Sequence, residues 1–276
     1  MGARRGDPKV TGVLPIALEK ATRVIGILMH SYKEYVALME LHDHVETDKV
    51  LEVMKMFIGK IYQRPPLRSS VKRSLRVREI YDINVLEVEG RHILFKVKCE
   101  SGTYVRKLCH DIGLVLGVGA HMRELRRTAV AHLTEDLKLV TMQDLSEALY
   151  VWNRYGDETL VRRYVLPMEY IVAYLPKVLI RDTAVDAIAH GAQLAVPGIA
   201  MLSNQIKKGS RVAVMTLKGE LVAVGKALMD SEEIVKSEKG IAVEIERVVM
   251  DPNIYPKVWK KSKDSVQSQE IRQNQK

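Results

Sequence analysis

Residues 80–86 and 92–99 each alternate apolar and polar side chains, and the two runs are separated by Glu89-Gly90. A period of two on either side of a glycine turn specifies a hairpin, and this constrains the chain more than any other stretch. The second run leads into Glu100-Ser101-Gly102-Thr103-Tyr104-Val105-Arg106, and residues 107–116 resume at helical spacing. A hairpin that feeds a helix directs this part toward an α+β fold. Arg106 then sits at a strand-to-helix junction, from which a guanidinium can reach into a cleft. Gly117 and Gly119 end the helix, and residues 120–127 read as a second, shorter one. His110 and Asp111 are neighbours in sequence and do not face each other on a helix, so His110 is read as structural.

Upstream, residues 16–29 mix apolar positions with Glu19, Lys20 and Arg23 and read as a helix that stops at His30-Ser31. Residues 35–41 read as a strand. Residues 48–58 carry Val50, Leu51, Val53, Met54, Phe57 and Ile58 at amphipathic helical spacing, with Asp48 as the cap. From Arg64 to Arg78 the chain has six cationic side chains and no acid: Arg64, Arg68, Lys72, Arg73, Arg76 and Arg78. The Pro65-Pro66 pair forbids a helix there and favours an extended backbone. A one-sign extended segment suits a phosphate backbone, and Arg64, Arg68, Lys72, Arg73 and Arg76 are the candidate RNA contacts. The competing reading is an edge strand that uses charge to block aggregation.

Forty-three Lys and Arg against thirty-four Asp and Glu leave a net charge of +9 over 276 residues, which favours a polyanionic partner. Cys99 and Cys109 are the only cysteines and form no C-x-x-C pair. Neither a disulfide framework nor a zinc site is indicated, so the chain reads as intracellular. No apolar run is long enough to span a membrane, and the amino end lacks the apolar centre of a signal peptide.

Near the amino end stands Asp7-Pro8-Lys9-Val10-Thr11-Gly12-Val13-Leu14-Pro15. The proline after Asp7 holds that residue in an extended or turn conformation, which aims its carboxylate. Thr11-Gly12 gives a bend ahead of an apolar scaffold. An Asp-Pro turn by itself is a common loop feature. Beyond residue 141 a helix is expected through residues 148–155, and Leu175-Pro176-Lys177 marks a change to short strands. Residues 182–190 with Gly191 read as a helix and its stop, residues 211–217 and 221–227 as a hairpin, and residues 241–250 as a later strand.

Taken together, these stretches resemble the TruB family of pseudouridine synthases. Residues 7–15 with Ala21-Thr22-Arg23 are similar to its catalytic motif, Lys33-Glu34-Tyr35 to its tyrosine motif, and residues 101–106 with 119–128 to its third motif. Tyr62-Gln63-Arg64-Pro65-Pro66 and Ser69-Ser70-Val71-Lys72-Arg73 are similar to the archaeal and eukaryotic branch, the dyskerin-like catalytic subunits of box H/ACA ribonucleoproteins. Residues 195–199, 212–220, 239–243 and 255–259 resemble a PUA domain. The alternative for this last part is a small β-domain that only packs against the first.

The resemblance implies a mixed, mainly antiparallel sheet flanked by helices over residues 1–174, a PUA β-barrel-like domain over 175–259, and a disordered polar tail over 260–276. It implies Asp7 as the nucleophilic or proton-handling carboxylate, Arg106 as its ionic partner and Tyr35 as the aromatic face and proton relay. Tyr104 and Leu125 match pocket-wall positions. The target uridine would be flipped from its stack, and no metal or organic cofactor is needed. The implied partners are a guide RNA, an rRNA or tRNA substrate and small ribonucleoprotein subunits, with no membrane and a cytoplasmic setting.

Some positions depart from the family pattern. Arg4-Arg5-Gly6 stands where Gly-Thr-Leu is usual, Ala129-Val130-Ala131-His132-Leu133 where Arg-Thr-Gly-Pro-Phe is usual, and Asn253 where glycine is usual. The family's preceding Asp-Lys-Pro and Thr-Ser signature is not in this sequence. A second expectation therefore stands beside the enzyme: an inactive RNA-binding remnant, or a gene start placed at the wrong methionine.

Overall fold

The computed structural model describes residues 10–65, 74–137 and 139–257. The chain divides into two compact units between Leu166 and Pro167.

The first unit is built on a seven-stranded sheet. Its strands are β1 (Val10–Gly12), β2 (Lys33–Leu41), β3 (Gly59–Gln63), β4 (Arg76–Glu89), β5 (His92–Cys99), β6 (Ala120–Val130) and β7 (Leu133–Thr134). The order is β1-β6-β2-β5-β4-β3, with β7 on β6. β1 runs parallel to β6, and every other pair in this sheet is antiparallel. The helices are α1 (Ile25–His30), α2 (Thr47–Met56), α3 (Val105–Leu116), α4 (Met142–Tyr155) and α5 (Thr159–Tyr164).

Alternation fixes which face is covered. On β2, Ala37, Met39 and Leu41 are buried, as are Ile93, Phe95, Val97 and Cys99 on β5. They meet Leu108, Cys109, Ile112 and Leu116 of α3 and Val50, Val53 and Met54 of α2 in one apolar cluster. Gly113 lets α3 approach the sheet closely, since a Cβ there would lie 2.2 Å from the amide nitrogen of Ala120. Gly117 ends α3 in the left-handed conformation at φ 83°, as its place after the last apolar residue implies.

Three sequence expectations are corrected. Residues 120–127 are not a helix but most of β6, the strand between β1 and β2. The cause is a bulge: Met39 pairs with Met122, whereas Leu38 pairs with Glu124, so Arg123 is an extra residue. That insertion spaces Met122 and Leu125 as on a helix, although both belong to a pleated strand. Residues 16–29 are not one helix either. Glu19–Arg23 is a 3-10 turn, Val24 is at φ −111°, and only then does the six-residue α1 begin. Leu14, Ile16 and Leu18 are exposed, so no apolar stripe holds a longer helix together. Finally, Asp48 is not the cap of α2. Glu46 takes that position, and Asp48 lies in the first turn, where its charge complements the helix dipole.

The hairpin is longer than its alternating residues suggest, because β4 extends back to Arg76. Arg76 therefore pairs with Gln63 across the β3–β4 edge of the sheet. Arg68, Lys72 and Arg73 lie outside the described residues, as does Asp7.

The second unit holds β8 (Lys177–Ile180), α6 (Asp182–Ala189), β9 (Leu194–Ala195), β10 (Ile199–Leu202), β11 (Arg211–Thr216), β12 (Leu221–Ala227), α7 (Ser231–Lys236) and β13 (Ile241–Val248). They form a six-stranded sheet in the order β10-β8-β11-β12-β13-β9. The β11–β12 hairpin turns through Gly219 at φ 85°. Val178, Ile180, Val212, Val214, Val222 and Val243 form its core. Tyr255 is anchored to this unit by donating to the Glu220 carboxylate at 2.5 Å, which also accepts from Thr216 Oγ1 at 2.9 Å. Those donors hold the Glu220 carboxyl below its ordinary range, and the bond to Glu220, with burial, pushes the Tyr255 phenol up.

Candidate active site

β1 begins at Val10, shortly after Asp7 in sequence, and is bound along β6: Val10 pairs with Leu125, Thr11 with Arg126 and Gly12 with Arg127. The Gly12 position admits no other residue without displacement. Its φ is 96°, and a Cβ would stand 2.1 Å from the carbonyl oxygen of Arg127. Val13 N–H donates to that same carbonyl at 2.8 Å, and Arg127 Nε donates to the carbonyl of Val13 at 2.7 Å. A reciprocal pair of bonds thus fixes the later part of the motif that Asp7 opens.

Arg127 also serves a second strand. Its Cα partner across β2 is Tyr35, whose phenol feels the Arg127 guanidinium. Burial pushes the Tyr35 phenol above its ordinary pKa, with Cys99 adding to the shift, while Arg127 opposes it. Tyr35 is consequently a protonated phenol at neutral pH, half-buried beside the sheet core. Leu125, 9% exposed, lies on the neighbouring strand opposite both Val10 and Ala37.

Tyr104 and Arg106 stand at the other side of the polypeptide's reversal. Tyr104 precedes α3 at its N-cap, and Arg106 is exposed in the first turn. Gly102, at φ 83°, makes the bend before them. Gln63, 1% exposed at the end of β3, grips the Tyr104 backbone from both sides: Tyr104 N–H donates to its Oε1 at 2.9 Å, and its Nε2 donates to the Tyr104 carbonyl at 3.2 Å. Glu100 is tied to β4 in the same way, accepting from Glu79 N–H at 3.1 Å and facing Arg78 at 3.6 Å.

Arg106 opens onto a cavity of about 1020 Å³ whose wall also includes Arg64, Tyr62, Leu75, His110 and Asp111. Two of the sequence candidates, Arg64 and Arg106, thus share one cleft. Tyr35 and Leu125 form a second grouping on the adjacent strands β2 and β6, joined to β1 by Arg127. Whether Asp7 meets Arg106 concerns a residue outside those described. Sequence reasoning passed over Gln63, Lys33 and Arg127. Lys33 carried a signal, since it shares the inward phase of Tyr35 and Ala37 on β2 and a cation there has to be buried.

Nothing in this arrangement brings metal ligands together; among the described residues no group of three His, Cys, Asp or Glu side chains could hold an ion. No described helix is long and apolar enough to cross a membrane.

Comparison with known proteins agrees with the motifs. Residues 5–105 match the TruB family pseudouridylate synthase N-terminal domain, residues 106–173 the tRNA pseudouridylate synthase B C-terminal domain, and residues 176–249 the PUA domain. A probable tRNA pseudouridine synthase B of Archaeoglobus fulgidus is 55% identical over 258 residues, spanning 94% of this chain and 79% of the relative. Its counterpart in Pyrococcus furiosus is 58% identical over 255 residues, spanning 92% and 75%. Among solved structures, a Cbf5-Nop10-Gar1 complex contains a chain superposing with a TM-score of 0.85 at 58% identity, over 91% of this chain and 77% of that one. An H/ACA RNP bound to a substrate RNA containing 2′-deoxyuridine gives 0.84 at 55%, over 92% and 77%. On this likeness of sequence and fold, the chain belongs to the TruB family of pseudouridylate synthases and carries a PUA domain.

Proposed function

We propose that the chain isomerises uridine to pseudouridine in RNA, with Asp7 as the reacting carboxylate, Arg106 as its ionic partner and Tyr35 as the stacking and proton-relaying aromatic. The N1–C1′ bond of the target breaks, the uracil turns, and C5 bonds to C1′. The proton leaving C5 is matched by one gained at N1, so no oxidant, reductant or cofactor is consumed. A carboxylate held by a proline and stationed just before a strand fixed at both ends suits the first step. A neutral phenol beside the Arg127 guanidinium suits the proton transfer. The target must leave its stack, and Tyr104 and Leu125 are assigned to the pocket walls.

The substrate is read as rRNA directed by a guide RNA, with tRNA as a second substrate, in an intracellular, cytoplasmic setting. Relatives in structures with Nop10, Gar1 and substrate RNA support partners of the same kind here. Arg64, Arg68, Lys72, Arg73 and Arg76 are assigned to the phosphate backbone. The domains are read as catalytic over 1–174 and RNA-gripping over 175–259, although the compact units part slightly earlier, at Leu166.

The observation that carries the reading is the fixing of β1 to β6 by the Val13–Arg127 bonds, within the motif that Asp7 opens. Asp7→Asn tests it in a purified, reconstituted assay that counts pseudouridine and measures RNA affinity separately. Turnover is expected to disappear while affinity stays within about twofold, because the reacting charge is lost and the basic surface is kept. Undiminished turnover would reject the assignment.

A further inference from the structure

Lys33 opens β2 two residues before Tyr35, and its side chain turns inward, leaving the residue only 8% exposed. Its ammonium meets four oxygens. It donates to the carbonyls of Met29 and Ser31 at 2.7 Å each, to Leu28 at 3.1 Å, and to Ser101 Oγ at 3.0 Å. Three of these are carbonyls at and just beyond the end of α1, where the helix dipole is negative and favours a cation. The fourth belongs to the Ser101-Gly102-Thr103 turn, and Ser101 Oγ in turn donates to the Met29 carbonyl. A buried lysine is costly unless its donors are used; here the end of α1 supplies three local acceptors, and Ser101 supplies one from a segment distant in sequence.

We propose that Lys33 is a positioning residue for the isomerisation: it pins the turn that carries Tyr104 and Arg106 to the strand that carries Tyr35. The proposal rests on the pseudouridine synthase reading above. Gln63 fixes the far end of that turn at Tyr104 and Glu100 ties its start to β4, so with Lys33 absent the turn keeps those anchors and loses its charged link to β2. The loop is then held less firmly against β2, and a displacement of about 1 Å between reacting groups is enough to cost about a hundredfold in rate.

The charged and titratable groups around the ammonium define a pH signature. Burial and then the Arg127 guanidinium of β6 bring the Lys33 pKa down to about 8, with a small opposing effect from Cys99 of β5. Cys99 is itself pushed up to about 12 by burial and stays a neutral thiol. Tyr35 is raised as well, so it remains protonated where Lys33 loses its proton. A neutral amine has fewer N–H groups to share among the four oxygens, and the turn is held less firmly above pH 8.

The test measures kcat and KM for RNA between pH 6.5 and 9.5 on the complete chain with its RNA, for wild type, Lys33→Met, Lys33→Arg and Ser101→Ala. Wild-type kcat should fall as pH rises through about 8. Lys33→Met should lower kcat about tenfold to a hundredfold, leave KM within about twofold and abolish that limb. Lys33→Arg should recover part of kcat and carry no limb near pH 8. Ser101→Ala removes the acceptor on the turn together with its own bond to the Met29 carbonyl, leaves the lysine buried, and should lower kcat by several-fold. An active wild type with kcat unchanged in both Lys33→Met and Ser101→Ala overturns the positioning role alone; a wild type without turnover overturns the underlying reading with it.

Discussion

Gln63 shows how much a single amide can hold in place. Tyr104 N–H and C=O are both satisfied by its buried side chain. Gln63→Leu keeps the volume and removes both bonds; the Tyr104 carbonyl keeps the Leu108 N–H at 3.0 Å while the Tyr104 N–H loses its Gln63 acceptor, which should cost about 1–3 kcal/mol in urea unfolding. Lys33 makes a different prediction about stability. Its folded pKa of about 8 lies below its ordinary 10.5, so between those values the unfolded chain binds more protons than the folded one. Stability contributed by this group therefore rises with pH across that window. Measured by urea unfolding from pH 7 to 10, the gap between wild type and Lys33→Met should move in favour of the wild type as pH increases. Activity and stability thus run in opposite directions with pH at this one residue.

Among the elements, the β4–β5 hairpin and α3 are legible in the sequence because their apolar spacing is regular and their ends carry glycine. β6 is not, because the extra Arg123 shifts Met122 and Leu125 into helical phase, and a strand flanked on both sides leaves little alternation to read. The 16–29 segment misleads for the opposite reason: its apolar residues are numerous but several face solvent. Tyr35, Leu125, Tyr104 and Arg106 are singled out in the sequence by motif likeness and are proposed, on that likeness, as residues of the site. The bonds that organise it were hidden, since Lys33–Ser101 and Gln63–Tyr104 connect positions far apart in the chain. The packing of α3 on β6 is open to test with Gly113→Ala. Alanine gains about 1 kcal/mol in helix propensity, yet its Cβ would meet Ala120 N at 2.2 Å. Crowding of backbone should win, giving a net loss of about 1–3 kcal/mol in thermal or urea unfolding.

At the level of the whole molecule, the +9 charge is unevenly spread, with the 64–78 stretch entirely cationic. Substituting Lys72, Arg73 and Arg76 together by glutamine should weaken RNA binding and flatten the dependence of log affinity on log salt by about 0.7–0.9 for each phosphate no longer neutralised. Titrations at several salt concentrations read both quantities; an unaltered slope rejects the phosphate assignment. The parallel pairing of Val10 with Leu125 has a different kind of consequence. A nascent polypeptide leaving the ribosome presents β1 long before its partner has been synthesised, and the segment must stay unpaired until then. On the role proposed for Asp7, its chemistry would in this way be deferred until β6 has been made and β1 can pair with it.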